Sequence, residues 1–279
     1  MADVHSPDRS RLYHFKLDRI LGEGGTGRVY RGIDSTKGQV VAIKLFRENF
    51  FRNRLHQRDL GKSIRRFRKF NHVNVVEIYD FIEGDEGNCM VMEYIDGPDL
   101  KWYLTNRTWN LQERLIIMAQ LCNGLQYLHD NDCIHHDFKP SNVLFTRKGV
   151  AKVADFSLYG GGFILEKLIG GIGEQITPMF VAPEVIKKEK AVPASDQYSL
   201  GITMYMMFAN RVPYMVDTLP KLYQCHLRIL PEHPTQVNPN CPRILGDVIM
   251  KLLNKDPKDR FADCDQVRIA IADIGKSRI

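Results

Sequence analysis

Residues 134–144 read Ile-His-His-Asp-Phe-Lys-Pro-Ser-Asn-Val-Leu, and three of these side chains could act together on a phosphate. Asp137 is a carboxylate able to accept a proton from a hydroxyl. Lys139 is a cation two residues on, and Asn142 offers an amide oxygen to a metal five residues on. Asp155, eighteen residues after Asp137 in Val-Ala-Asp-Phe-Ser, adds a second hard oxygen at the end of an apolar run. Phosphoryl transfer asks little covalent work of a protein. It needs a base to orient the nucleophile, cations on the phosphate oxygens and ligands for Mg²⁺. Taken alone, a His-x-Asp stretch would equally suit a surface turn or a fortuitous metal site.

A second group of residues lies near the amino end. Leu21-Gly22-Glu23-Gly24-Gly25-Thr26-Gly27-Arg28-Val29-Tyr30 is rich in glycine, which lets backbone amides approach phosphates that a side chain would block. A bare G-x-G-x-x-G is shared with dinucleotide folds, which require a helix next and an acidic residue about twenty positions on. This chain instead continues into a β-rich stretch at 29–33, an Asp34-Ser35-Thr36-Lys37-Gly38 turn and a second strand at 39–46. That second strand carries Val41-Ala42-Ile43-Lys44, so a lysine stands seventeen residues after the last loop glycine.

The elements that must position these groups can be read from periodicity. Apolar residues alternate through Phe15, Leu17 and Ile20, which predicts a strand. Residues 53–70 predict a helix with Leu60, Ile64, Phe67 and Phe70 on one side and Arg65, Arg66, Arg68 and Lys69 on the solvated other side. Strands at 75–82 and 88–94 complete an expected five-stranded antiparallel sheet. Gly97-Pro98 then marks a boundary, after which the pattern turns helical. Apolar residues at 111, 115, 118, 122 and 125 make one buried stripe on a long helix ending at the His-His-Asp loop, with Met118 and Cys122 in the core. Short strands at 143–146 and 150–154 deliver Asp155. Ser195-Asp196 opens an apolar helix, and further helices fall near 217–228, 242–253 and 263–274.

Composition bounds the rest. The chain has 279 residues, 44% apolar, with 39 basic against 33 acidic side chains; this is a globular chain, and its mild net charge of +6 does not imply nucleic acid. Six cysteines lack C-x-x-C spacing, so neither a zinc knuckle nor a redox pair is expected. The amino end has no signal-peptide pattern, and the longest apolar run, 200–209, is shorter than the roughly 20 residues a bilayer span needs, so a cytoplasmic location is expected.

With these motifs in this order, the sequence resembles the eukaryotic-type (Hanks-type) serine/threonine protein kinase catalytic domain, whose catalytic loop reads H-R-D-x-K-x-x-N and whose metal loop reads D-F-G. The likeness runs from about residue 13 to 273. Thr177-Pro178-Met179-Phe180-Val181-Ala182-Pro183-Glu184 resembles the end of an activation segment, a feature small-molecule kinases generally lack, and Arg260 matches the arginine that pairs with its glutamate. The resemblance implies an α+β bilobal fold: a flexible arm at 1–12, a five-stranded N-lobe with one helix at 13–95 and a mainly helical C-lobe at 96–279. It implies ATP and Mg²⁺ between the lobes, with a protein serine or threonine as acceptor and homodimerisation left open. Lys44 would orient the α- and β-phosphates under the loop of Leu21, Gly22, Gly24 and Gly27. Val29, Ala42 and Leu144 would sandwich the adenine, Met92 would stand as gatekeeper, and the backbone at Glu93 and Ile95 would bond the adenine edge. Asp137 would be the catalytic base, assisted by Lys139 and Thr177. Asn142 and Asp155 would hold the metal, and Asp196 would cap the catalytic loop backbone.

Three positions and one stretch depart from the family pattern. Ser63 stands where a helix glutamate pairs with the strand lysine, and Asp59, one turn earlier, is the nearest substitute. His136 replaces the arginine before the catalytic aspartate, Ser157 replaces the D-F-G glycine, and residues 160–176 contain no serine, threonine or tyrosine. These imply a kinase of the non-RD type, not switched on by phosphorylation in mid-loop. A pseudokinase that binds nucleotide and acts as a scaffold is the alternative.

Overall fold

Residues 11–47, 50, 54–156 and 178–276 are described in this computed structural model. The chain divides into two compact units, Met1–Asn71 with Val76–Ile95 and His72–Val75 with Asp96–Ile279.

The first unit is a sheet with one helix. Its elements are β1 (Arg11–Leu12), β2 (Phe15–Gly24), β3 (Gly27–Asp34), β4 (Val40–Phe46), α1 (Arg54–Phe67), β5 (Ile78–Ile82) and β6 (Cys89–Glu93). The strand order is β1-β2-β3-β4-β6-β5, antiparallel throughout. Five strands match the sequence reading. The sixth, β1, is a two-residue edge strand inside the stretch read as a loose arm, drawn onto the sheet by the burial of Leu12 and its pairing with Phe15. Because side chains alternate across a strand, Leu12, Phe15, Leu17, Val41, Ile43, Cys89 and Val91 form a core on one face. Ala42 and Lys44 therefore lie on the other. Gly27 sits where β3 presses on β4: a Cβ there would lie 2.1 Å from the Leu45 carbonyl oxygen. Helix α1 buries Ile64 and Phe67, with Phe70 just beyond its end, and exposes Arg58, Arg65 and Arg66; the Leu60 side chain lies outside the described residues.

The second unit is helical. It comprises α2 (Leu100–Asn106), α3 (Leu111–Asp130), the hairpin β7 (Val143–Phe145) and β8 (Ala151–Val153), then α4 (Pro183–Ile186), α5 (Pro193–Ala209), α6 (Leu219–Arg228), α7 (Pro234–Val237), α8 (Arg243–Leu252) and α9 (Cys264–Lys276). Helix α3 starts at a reciprocal capping box in which the Asn110 side chain accepts from Glu113 N and the Glu113 carboxylate accepts from Asn110 N, both at 2.9 Å. Met118, Leu121, Cys122, Leu125 and Leu128 bury its stripe as the spacing predicts. Helix α5 is buried on almost every side, polar Ser195, Asp196 and Gln197 of its first turns included, the position of a central helix. Proline at its first turn costs no hydrogen bond, since that N–H would lack a helical partner anyway. All six cysteines are free and buried. Among the described residues no helix is long and apolar enough to cross a membrane.

Candidate active site

In the helical unit the catalytic-loop residues converge. Asp137 Oδ2 accepts from Lys139 Nζ at 2.6 Å and from Asn142 Nδ2 at 3.3 Å, while the same Nδ2 donates to the Asp137 carbonyl at 2.8 Å. With its NH₂ turned to Asp137, Asn142 keeps its amide oxygen for another partner. The Asn142 carbonyl accepts from Ala154 N at 2.8 Å, which ties the loop to the segment that delivers Asp155. Asp155 itself sits at φ 57°, a left-handed backbone position. Asp137, Lys139, Asn142 and Asp155 are thus on one short stretch of the fold. Leu144 is half-buried in β7.

A carboxylate under this loop holds it. Asp196, in the first turn of α5 and 2% exposed, accepts from His135 N at 2.8 Å, from His136 N at 3.0 Å and lies 2.8 Å from His129 Nε2. Burial alone would raise this carboxyl. The His129 hydrogen bond and the surrounding imidazoles outweigh it and hold the group below the usual carboxylate range. The two loop histidines are affected the other way, since burial pushes both imidazoles below their ordinary value and leaves them neutral at neutral pH. His135 is fully buried, edge-on to Phe138 and Phe156, and its Nδ1 accepts from Asp137 N at 3.3 Å. His136 takes φ 69°, and its Nδ1 is buried with no partner among the described residues.

The end of the activation segment is anchored separately. Glu184 and Arg260 form a two-pronged ion pair with both contacts at 2.8 Å, fully buried, and Ser195 Oγ donates to Glu184 Oε1 at 2.7 Å. The sequence-predicted pair is present. Thr177 and Ser157 lie outside the described residues.

In the sheet unit, residues paired across antiparallel strands share a face. The register aligns Val29 with Lys44, Ala42 with Met92 and Lys44 with Met90, so Val29, Ala42, Lys44 and Met92 lie on the face opposite the core. Lys44 is 4% exposed. Leu21, Gly22 and Gly24 are exposed where β2 turns into β3, and a Cβ at Gly22 or Gly24 would meet nothing within 4 Å. Glu93 N donates to the Glu77 carbonyl at 2.9 Å, and Ile95 is buried just after β6. The expected substitution of Asp59 for the helix glutamate does not occur. The Asp59 carboxylate is 59% exposed and forms its ion pair with Lys62 at 3.8 Å, its stripe of α1 facing solvent rather than buried Lys44. Ser63 Oγ turns back onto the Asp59 carbonyl at 3.1 Å.

Two contributors were not singled out from sequence. His129 continues the buried α3 stripe, four residues after Leu125, and a polar residue at the next stripe position is the signal that could have found it. Asn74 bonds the Ala151 carbonyl at 2.9 Å and accepts from Val153 N at 2.8 Å, steadying β8; nothing local in the sequence points to it.

Comparison with known proteins bears on the family and the fold. A probable serine/threonine-protein kinase of Streptomyces coelicolor, SCO3848, is 30% identical over 266 residues, covering 92% of this chain and 39% of that protein. The serine/threonine-protein kinase PrkC of Bacillus subtilis is 29% identical, covering 92% of this chain and 40% of its own. The chain thus spans about two fifths of the length of these relatives. The Mycobacterium tuberculosis PknI kinase domain superposes with a TM-score of 0.74 at 22% identity, covering 94% of this chain and 96% of that one, which shows the shared fold. The protein kinase domain family model matches residues 15–269, and the chain belongs to that family.

Proposed function

We propose that this domain is an ATP- and Mg²⁺-dependent serine/threonine protein kinase of the non-RD type, active without phosphorylation in the middle of its activation segment. The observation that carries the reading is the Asp137–Lys139–Asn142 cluster, held from below by Asp196. Asp137 Oδ1 makes no hydrogen bond to a described residue, so it is the oxygen left to accept a substrate hydroxyl proton. Lys139, on the other oxygen, orients the carboxylate and steadies the γ-phosphate. Lys44 orients the α- and β-phosphates beneath Gly22, Gly24 and Gly27. Since the Glu93 N–H is committed to Glu77, the donor to the adenine edge falls to Ile95.

The donor set suits Mg²⁺ held in part by nucleotide. Among the described residues no cluster of three or more acidic, histidine or cysteine ligands exists, and Mg²⁺ characteristically takes one or two protein oxygens plus phosphates and water. Asn142 Oδ1 and the Asp155 carboxylate are those oxygens. The ion, when bound, would neutralise charge on the phosphates.

Serine/threonine choice is supported by Lys139 and Thr177 at the family's positions and by the names of the relatives. The non-RD reading is supported by the neutral, buried His136 ring, which offers no cation to a phosphate, and by a 160–176 stretch with no hydroxyl to phosphorylate. The test is transfer of γ-phosphate from Mg·ATP to the protein and to a generic basic protein, comparing wild type, phosphatase-treated wild type and Asp137→Asn. Phosphoserine or phosphothreonine that survives phosphatase treatment of the enzyme and disappears in the variant is expected. No transfer, with a Mg·ATP-dependent rise in melting temperature, would replace the enzyme by a nucleotide-binding scaffold.

A further inference from the structure

The loop that turns β2 into β3 has two unlike faces. The register aligns Gly22 with Val29 and Lys44, and Gly24 with Gly27 and Phe46, whereas Glu23 aligns with Arg28 and Leu45. Residues aligned in this way share a face of the sheet. Gly22 and Gly24 therefore lie on the face of Lys44, where a Cβ at either would meet nothing within 4 Å. Glu23 and Arg28 lie on the other face, that of Leu45 and the sheet core.

On this second face three side chains are tied together. Arg28 makes a two-pronged pair with Glu23, Nε to Oε2 at 3.0 Å and Nη2 to Oε1 at 3.1 Å. Arg47, one residue past β4, reaches back to the loop with one edge of its guanidinium. Its Nη2 donates to Glu23 Oε1 at 2.8 Å and its Nε to the Gly24 carbonyl at 3.3 Å. The Arg47 backbone N–H adds a bond to the Thr26 carbonyl at 3.1 Å. A single residue thus holds Glu23, Gly24 and Thr26 at the loop tip, and it stands three positions after Lys44. The Arg28 hydrogen bonds hold the Glu23 carboxyl below its ordinary range, so it is ionised at neutral pH. A carboxylate in a phosphate-binding loop would repel the ligand; here it points away from the glycine face and is shared by two cations.

We propose, on the phosphate-binding reading of this loop, that Arg47 is a positioning residue for the nucleotide: with Glu23 and Arg28 it braces the loop from behind. Arg47 touches no phosphate in this arrangement. It acts through the Gly24 and Thr26 carbonyls, fixing the glycine face relative to Lys44. A stretch with glycine at 22, 24, 25 and 27 has much backbone freedom to lose on binding. A brace made before the nucleotide arrives removes part of that loss beforehand. All three side chains are partly exposed, so each pair shifts an equilibrium by at most about fivefold.

The test is isothermal titration of wild type, Glu23→Gln, Arg47→Gln and Arg47→Lys with Mg·adenylyl imidodiphosphate, with kcat and KM for ATP measured alongside. The sign of the Glu23→Gln effect is decisive. Charge alone predicts tighter binding once a carboxylate near the phosphates is removed, and wild-type affinity for Arg47→Lys. A brace predicts that all three variants bind about two- to fivefold more weakly and raise the KM for ATP to match, with kcat within about twofold of wild type. Lysine keeps the charge but lacks the two-pronged edge that spans Glu23 and the Gly24 carbonyl. In the nucleotide-free protein, backbone hydrogen exchange across residues 22–28 quickens in each variant. Glu23→Gln that binds as tightly as wild type or more so would overturn the proposal and leave the proposed function standing, as would unchanged exchange across the loop. A wild type that binds no nucleotide would remove the proposed function and the role of Arg47 with it.

Discussion

Asp137 can serve as a base only while its carboxylate is held in register with the rest of the loop, and two residues divide that task. Lys139 fixes one carboxylate oxygen at 2.6 Å. Asp196 fixes the backbone on the N-terminal side through the His135 and His136 N–H groups. The two make different predictions. In Lys139→Met the loop backbone is still anchored, so kcat should fall about 100-fold with little change in melting temperature, as for loss of a group that acts in the transition state. In Asp196→Asn the NH₂ must replace either the oxygen that accepts from His136 N or the one shared by His135 N and His129, leaving at least one backbone N–H unmet. That change should lower stability by about 2 kcal/mol or more, roughly 4–8 °C in melting temperature, together with kcat. Parallel melts and steady-state kinetics separate the cases; an Asp196→Asn that melts like wild type would mean the carboxylate does not carry the loop.

The glycine loop shows that the same residue type does different work within one element. Gly27 is required by packing, since a methyl group there meets the Leu45 carbonyl at 2.1 Å, whereas a methyl at Gly24 meets nothing. Gly27→Ala should therefore cost about 1–3 kcal/mol by forcing β3 off β4. Gly24→Ala should melt as wild type, and on the proposed function, in which the loop backbone approaches a phosphate, it should raise the KM for ATP. Thermal melts and ATP titrations of both variants decide this. Much of the element order was legible for a physical reason: α3 repeats its apolar steps often enough to declare a helix, and β4 carries a run of apolar and β-branched residues. The rest depended on information that does not lie along the chain. Helix α2 is seven residues long with only Leu100 buried, so no stripe could form; its start is set by Asp99 accepting from Trp102 N at 2.7 Å. Strand β1 exists only through its pairing with β2. At the site, Asp137, Lys139 and Asn142 were legible because they lie within six residues of one another. His129 was hidden because a helical stripe read for apolar residues passes over a histidine. Asp59 was misassigned because being on the right turn of a helix does not settle which way a side chain leans.

Across the whole molecule, the buried titratable groups set how stability depends on pH. His135, His136 and His226 all have imidazoles pushed below their ordinary value by burial, His226 to about 3. Between a folded pKa below 6.5 and an unfolded one near ~6.5, the unfolded chain binds more protons, so stability rises with pH there and is lost as pH falls. Asp196 and Glu184 are held below the usual carboxylate range, so their contribution is present above about pH 4 and is lost only below it. Acid destabilisation should therefore begin near pH ~6.5, well before Asp196 or Glu184 is protonated. On the alkaline side Lys255, 2.8 Å from the Tyr214 hydroxyl, is lowered by burial to about 8. From there to about 10.4 the unfolded chain again holds the extra proton, and stability rises once more. Tyr198 and Tyr214, both raised by burial, reverse that trend above about pH 10, where only the unfolded chain can ionise them. The decisive window is pH 7 to 5. Each fully neutral buried imidazole there contributes a slope of about 1.4 kcal/mol per pH unit. His226→Gln keeps a hydrogen-bonding partner for the Tyr198 hydroxyl, 2.9 Å from the imidazole, but cannot titrate. Urea unfolding midpoints should fall from pH 7 to 5 in the wild type and fall less steeply, by about one such slope, in His226→Gln. A wild-type midpoint that stays level down to pH 5 would mean that these imidazoles are solvated in the folded protein, and that the acid limit of the fold belongs to Asp196 and Glu184 alone.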